Sequence, residues 1–351
     1  MEPSEWLEFV NEPLLRVPSS DPQMAPSPPP EKPVAAKTLA QRPIIAPPTP
    51  PIPTPPESHA GSPIDEADEP TILSVSTTFY PGAGLAPSLP DIVLLSSDTV
   101  FFYVHSPVLL RESSNRLNAL LPPPEELASQ PPDGVGPVVP LPEPSTTLNL
   151  VLHTMYGLSC LHYSPSSATL NAGVDALAKY GVDLKQHIRP GTPLFEHLLG
   201  QSPAAPLDFY ATAGHHNLWE LAAAISPHLL HFPLSDLDDD IDNRMGAFYL
   251  KKLFFLHLGR VDALKRLLLP APQGHPATPE CDFLEQKKLT RAWALAAAYL
   301  TWDARPDLSP TAIELALRPL GDHLSCEICQ TSLHERVKQL TVQWSLVKRT
   351  I

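Results

Sequence analysis

Cys326-Glu327-Ile328-Cys329 sets two thiols at C-x-x-C spacing, which zinc sites and dithiol redox centres both use. His323 precedes the pair, His334 follows it, and Cys281 and His275 are further candidates. Structural zinc takes four ligands, usually from two separated pairs, so the second pair here would be Cys281 with a histidine at unusual spacing. Cys326 also continues the helical pattern of Leu333, Val337, Leu340, Trp344 and Val347, and free cysteine is a common core residue. The sequence therefore favours core packing over a metal. No metal ligand and no cofactor is expected, while zinc on Cys281, Cys326 and Cys329 with a nearby histidine stays open. A thioredoxin-like dithiol lacks the βαβ pattern that would precede it.

The remaining polar clusters read as structural. The run Asp236-Leu237-Asp238-Asp239-Asp240-Ile241-Asp242 invites calcium, but an EF-hand loop needs Gly at its sixth position and Glu at its twelfth. A loop starting at Asp236 has Ile241 and Ala247 there; one starting at Asp238 has Asn243 and Tyr249. A capped, solvated helix start is expected instead. His105 ends a strand and reads as a packed hairpin residue, able to meet Asp91 across the hairpin. His215, His216, His228 and His231 lack a matching carboxylate or cysteine spacing and read as polar helix faces. No G-x-S-x-G, P-loop or G-x-G-x-x-G pattern occurs, so no catalytic residue is assigned and a non-enzymatic protein is expected.

The elements that must hold these residues begin late in the chain. Of 46 prolines in 351 residues, 19 fall in the first 70. Stretches such as Pro47-Pro48-Thr49-Pro50-Pro51 exclude helix interiors and central strands, so 1–70 reads as a disordered tail and 71–88 as a linker. Within the tail, Trp6 to Leu15 interleaves apolar and acidic residues as a partner-folding helix would. Ser27-Pro28, Thr49-Pro50, Thr54-Pro55 and Ser62-Pro63 fit proline-directed kinases. From Asp91, an apolar β-branched run and Val100 to His105 predict a hairpin turning at Asp98-Thr99. Ser106-Pro107 starts a helix, Val138 to Leu141 reads as an edge strand, and further helices run through Gly157 and from Ser167 to Tyr180. From Pro193 the chain reads as helical. Gly259 is the expected break in the long helix after the aspartates, and Asp282 to Thr301, apolar on most sides, reads as central.

Composition narrows the function further. The net charge of -14 argues against nonspecific nucleic-acid binding, which needs a basic face. The longest apolar window, Trp293 to Trp302, is about half of the roughly 20 residues that a membrane span takes. Four cysteines are too few for a disulfide scaffold. Neither a signal peptide nor a membrane segment is read, so an intracellular protein, cytoplasmic or nuclear, is expected.

The order hairpin, helix pair, short strand, helices resembles the BTB/POZ domain. Asp91-Ile92-Val93-Leu94 looks like that family's opening strand, and Phe102-Tyr103-Val104-His105 like its second strand. Val108-Leu109 followed by Ser113-Ser114 looks like its helix and Ser-rich turn. Leu148, Leu152, Met155 and Tyr156-Gly157 match its next helix, and Ala176 to Tyr180 its later alanine-rich helix. Asp91, His105, Leu148, Leu152, Tyr156 and Tyr180 are the positions that carry the resemblance. Leu117 and Leu121 stand where the family usually has aromatics, and the Pro-rich loop at 122–136 is longer than usual. The whole chain is similar to BTB proteins of mushroom-forming fungi with a comparable helical C-terminal half. The expected fold is α+β: a BTB-like domain over 89–190, then an α-helical domain over 193–351. The resemblance implies an adaptor or scaffold. Its partners would be a second BTB surface, as homodimer or heterodimer, or a cullin scaffold, with the helical half holding a substrate for ubiquitin transfer. A transcriptional co-regulator using the same domain and the Trp6 to Leu15 segment is the alternative. Direct nucleic-acid and membrane contacts are not expected.

Overall fold

The structure, a computed structural model, describes residues 74–123 and 136–351. The readings made of the tail lie outside the described residues. Four short strands, β1 (Ser74–Val75), β2 (Ile92–Leu95), β3 (Val100–Val104) and β4 (Val138–Pro140), form one mixed sheet in the order β1-β3-β2-β4. β2 and β3 are the expected antiparallel hairpin, and β4 lies parallel to β2 at one edge, where Pro140 needs no ladder donor. β1, parallel to β3, closes the other edge. It falls in 71–88, the stretch read as linker, and Phe79 of that stretch is fully buried in the core. One buried phenylalanine among Gly and Pro gives no periodic signal, which is why composition alone assigned it to a linker.

Eleven right-handed α-helical segments follow the hairpin among the described residues: α1 (Ser106–Glu112), α2 (Ser145–Met155), α3 (Ser167–Lys179), α4 (Leu184–His187), α5 (Pro193–Gln201), α6 (Pro206–His215), α7 (Trp219–Ile225), α8 (Asp239–Leu268), α9 (Phe283–Trp302), α10 (Pro310–Leu317) and α11 (Glu327–Leu346). The chain is thus a small mixed sheet followed by a long run of helices. Two aspartates of the hairpin start the first two helices. Asp91 accepts from the backbone N and Oγ of Ser106 at 2.6 and 2.5 Å, and Asp98 accepts from the same atoms of Ser145 at 2.8 and 2.6 Å. Each satisfies a backbone donor that a helix start leaves open. The expected Asp91–His105 bond is not made: Asp91 is committed to Ser106.

After α1 the chain makes a turn over Arg116–Ala119 with φ of 56, 51, 58 and 63° at four successive non-glycine residues. This left-handed region is costly for L residues. It is held by Asn115, whose Oδ1 accepts from Asn118 N at 2.8 Å, and by Leu117, whose side chain is buried in the core.

Packing divides elsewhere than at 190–193. The first core runs from Phe79 through the sheet and α1–α7 to Leu256 of α8, and takes in Ile351. The second runs from Leu264 to Trp344. Helices α5 to α7 bury Leu198, Phe209, Tyr210 and Leu221 against the same core as the sheet, so the two predicted domains share it. α8 carries the change within one helix, between Leu256 and Leu264. Its break is at Gly246 (φ 76°, ψ 156°), not at Gly259, which is helical. A φ of this sign favours glycine, whereas Gly259 is only a weak helix former. Asp238 caps α8 with Asp239, Asp240 and Asp242 in the first turn, as expected of a capped start.

α9 is not central. Only Leu289, Trp293 and Leu300 are buried along it, while Leu295, Tyr299 and Trp302 are 74, 72 and 92% exposed. Apolar residues on all sides predict a buried helix; here one side meets the second core and the other meets solvent. No helix among the described residues is long and apolar enough to cross a membrane.

Candidate metal centre

The loop between α8 and α9 carries Pro270, Pro272, Pro276 and Pro279, which exclude helix and strand ladders. It is held by specific bonds. Thr278 and Cys281 exchange backbone bonds of 3.0 and 3.2 Å, and Thr278 Oγ1 accepts from Cys281 N at 3.1 Å. Gln286 of α9 brackets His275: its Oε1 accepts from His275 N at 3.1 Å and its Nε2 donates to His275 O at 2.9 Å. Ser332 of α11 donates to Gln273 O at 2.7 Å, tying the loop to the last helix. Asp282 then caps α9 through the N–H groups of Leu284 and Glu285.

These bonds bring His275 and Cys281 onto the start of α11, where Cys326 is the N-cap and Cys329 lies in the first turn. The four ligand atoms all lie within 4.8 Å of one another. Cys281 Sγ is 3.8 Å from Cys329 Sγ, and His275 Nε2 is 3.4 Å from both Cys326 Sγ and Cys329 Sγ. His275 Nδ1 donates to Pro276 O at 2.8 Å, which leaves the Nε2 lone pair facing the sulfurs. Ligating histidines are ordinarily oriented through the other ring nitrogen in this way. The flanking His323 and His334 are exposed and stand outside the cluster. The apolar pattern points to Cys326 as the core cysteine, but Cys326 is the half-buried N-cap of α11, and it is Cys329 and Cys281 that are buried in the second core, where their sulfurs meet the third thiol and an imidazole. The sequence sets His275 and Cys281 among the candidates but ranks a metal below core packing and does not choose between the nearby histidines. The spacing of His275 and Cys281 matches no common zinc motif, and the intervening turn decides it.

Electrostatics divides the thiols. The Cys326 thiol is held down to about 7 by the N–H of Cys329 above all, with that of Ile328 beside it, at the α11 N-terminus. Burial pushes the Cys329 thiol up, and its thiol neighbours add to this; Cys281 is raised by burial as well. A divalent cation among them would favour the thiolate at each.

Protein-family models, curated proteins and solved structures contain no match to this chain.

The six positions that carried the BTB resemblance are buried or hydrogen-bonded within the fold. Leu148 and Leu152 are buried in the first core. Tyr156 Oη accepts from His105 N at 2.9 Å and meets His105 Nδ1 at 2.8 Å, while His105 Nε2 donates to Ser88 O at 3.0 Å. Burial pushes the Tyr156 hydroxyl up to about 12. Tyr180 donates to Glu143 and is likewise pushed up, first by burial and then by that carboxylate. The Tyr180 carbonyl accepts from Ser113 Oγ at 2.6 Å and that of Gly181 from Ser114 Oγ at 2.8 Å, so the Ser-rich turn docks on the end of α3. His216 has a carboxylate partner after all: its Nε2 lies 2.7 Å from Asp175 Oδ1, and Arg244 reaches Asp175 Oδ2 at 2.8 Å. The partners lie far apart in sequence, on α3, the end of α6 and α8, so no local pattern could reveal them.

Proposed function

We propose that this chain is a non-enzymatic protein–protein interaction module of the adaptor or scaffold kind. Its sheet-bearing half engages a cullin-type scaffold, and its helical half presents a second protein. The observation that carries this reading is the outer side of α9, where Leu295, Tyr299 and Trp302 stand 74, 72 and 92% exposed, with Phe283 and Leu284 also exposed at the other end of the helix. Exposed apolar residues in such number mark interaction sites, and tryptophan and tyrosine dominate binding energy where they become buried. Lys287, Lys288 and Arg291 on the same helix would select a partner with acidic groups around its apolar contact. The strand order and capped helices, set beside the BTB resemblance, support placing the scaffold contact on the other half.

Light scattering on the full chain, alone and mixed with a cullin N-terminal fragment, tests this. A stable 1:1 complex that survives Trp302→Glu and is lost with Arg111→Glu, an exposed substitution next to the Ser-rich turn, is the expected result. A chain that ignores the cullin fragment would overturn the ligase-adaptor reading.

A further inference from the structure

We propose that His275, Cys281, Cys326 and Cys329 bind one zinc ion as a closed, structural Cys3His site that fastens the α8–α9 loop to the start of α11. Geometry carries this inference. Zn–S bonds of about 2.3 Å and a Zn–N bond of about 2.0 Å at tetrahedral angles give S···S edges near 3.8 Å and S···N edges near 3.5 Å. The Cys281–Cys329 edge is 3.8 Å, and the two edges from His275 Nε2 are 3.4 Å each. Three further features fit a metal rather than packed thiols. The imidazole is oriented by Pro276 O so that its lone pair faces the sulfurs. The loop that carries it is fixed by Gln286 and Ser332, on the two helices that flank the site. The four ligands arrive as two separated pairs, one from a loop and one from a helix start, as structural zinc sites are built.

The donor set selects the ion. Three thiolates and an imidazole are too soft for calcium or magnesium and suit zinc. With four protein ligands no position is left for water or substrate, so the ion is structural and not catalytic. A disulfide between any two of these cysteines would leave the third thiol and the aimed imidazole without a role. The second core is also small, running only from Leu264 to Trp344, and small cores gain most from a metal staple.

The test is metal analysis of the full chain, purified under reducing conditions, supplied with zinc and freed of unbound ion by gel filtration. One zinc per chain is expected, with loss of the ion in Cys281→Ser and Cys329→Ser. His275→Cys, which offers a fourth thiolate, should keep it. Because the serine variants can fail to fold, the unmutated chain is also stripped with a chelator and given cobalt(II). Intense visible bands of a tetrahedral site, with thiolate-to-cobalt charge transfer in the near ultraviolet, are expected. Chelation should lower the melting temperature and speed proteolysis in the loop over 270–282. A folded chain that holds no zinc and whose four cysteines all titrate as free thiols would overturn the proposal. So would bound iron with its own chromophore, or a disulfide among Cys281, Cys326 and Cys329.

Discussion

At the residue scale, much of the stability resides in side chains that close backbone ends or hide from water. Asp91 makes both of its bonds to Ser106, so Asp91→Ala should lower stability by about 1–2 kcal/mol, the usual worth of a helix cap, measured by urea unfolding. Asp98→Ala removes an exposed version of the same device and should cost about 1 kcal/mol or less. Burial lowers the pKa of His257, and its Nε2 has no hydrogen-bond partner. The unfolded chain therefore takes up a proton first as pH falls below about 6.5, the ordinary histidine value. Stability from this residue is unaffected above that pH and declines below it, until the folded pKa is passed. His153 and His197 are also lowered by burial and act with the same sign. Unfolding curves at pH 7.5 and pH 5.5 should show the loss, and His257→Gln should reduce the difference. An unchanged difference would assign the acid sensitivity to the other two histidines.

At the element scale, the left-handed turn at Arg116–Ala119 and the end of α3 are one construction. Asn115 Nδ2 donates to Lys179 O at 2.8 Å, and a Cβ on Gly181 (φ +71°) would come within 2.7 Å of the Asn115 side chain. Gly181→Ala should thus destabilise by more than the ~1 kcal/mol of backbone strain alone, because it also displaces this contact. Ala119, exposed at φ 63°, should respond in the opposite direction. Ala119→Gly relieves left-handed strain and should raise stability by roughly 0.5–1 kcal/mol, read as a shifted urea midpoint. α9 presents the third case. Trp302→Glu changes an exposed residue, so stability measured by urea unfolding should stay within the range of ordinary surface substitutions, about ±0.5 kcal/mol, while affinity for the protein held on α9, though not for the cullin fragment, falls.

At the scale of the whole molecule, α8 and the end of the chain join the two cores. Arg260, at the junction, donates to the carbonyls of Pro306, Val347 and Lys348 at 2.7, 2.8 and 3.0 Å and lies 4.2 Å from the ring centre of Trp344. Burial, first, and the charge of Arg349 lower it to about 10. From there the chain returns to the first core, where Ile351 is buried and its N–H donates to Ser226 Oγ at 3.1 Å. Ile351→Ala should therefore cost about 2–4 kcal/mol, a core value, although it alters the last residue of the sequence. A change of surface size, under about 0.5 kcal/mol, would show that this return is not part of the folded core. Arg336 frames the second core in the same manner, donating to Pro270 O at 2.9 Å and lying 5.5 Å from Trp293, whose Nε1 donates to Leu268 O at 2.9 Å.

Local patterns determined the hairpin, the edge strand and the starts of α1 and α8, because alternation, proline placement and capping residues act within a few positions of one another. Tertiary structure alone decided the rest. Phe79 and β1 enter the core from a Gly- and Pro-rich stretch with no periodicity. α9 faces solvent because burial depends on what packs against a helix, not only on its composition. Gly246 and not Gly259 breaks α8, since the position of a bend is set by the crossing with α6, where a Cβ on Gly214 would come within 2.5 Å of Met245 O. The cysteines were visible in the sequence, and His275 stood among the candidates. Their convergence to 3.4–3.8 Å was not, because it is produced by a turn at Thr278 and a bracket from Gln286. Spacing along a chain reveals a site when its ligand pairs follow a recurrent pattern; here one pair has no such pattern and is formed only when the loop and the helix are brought together in space.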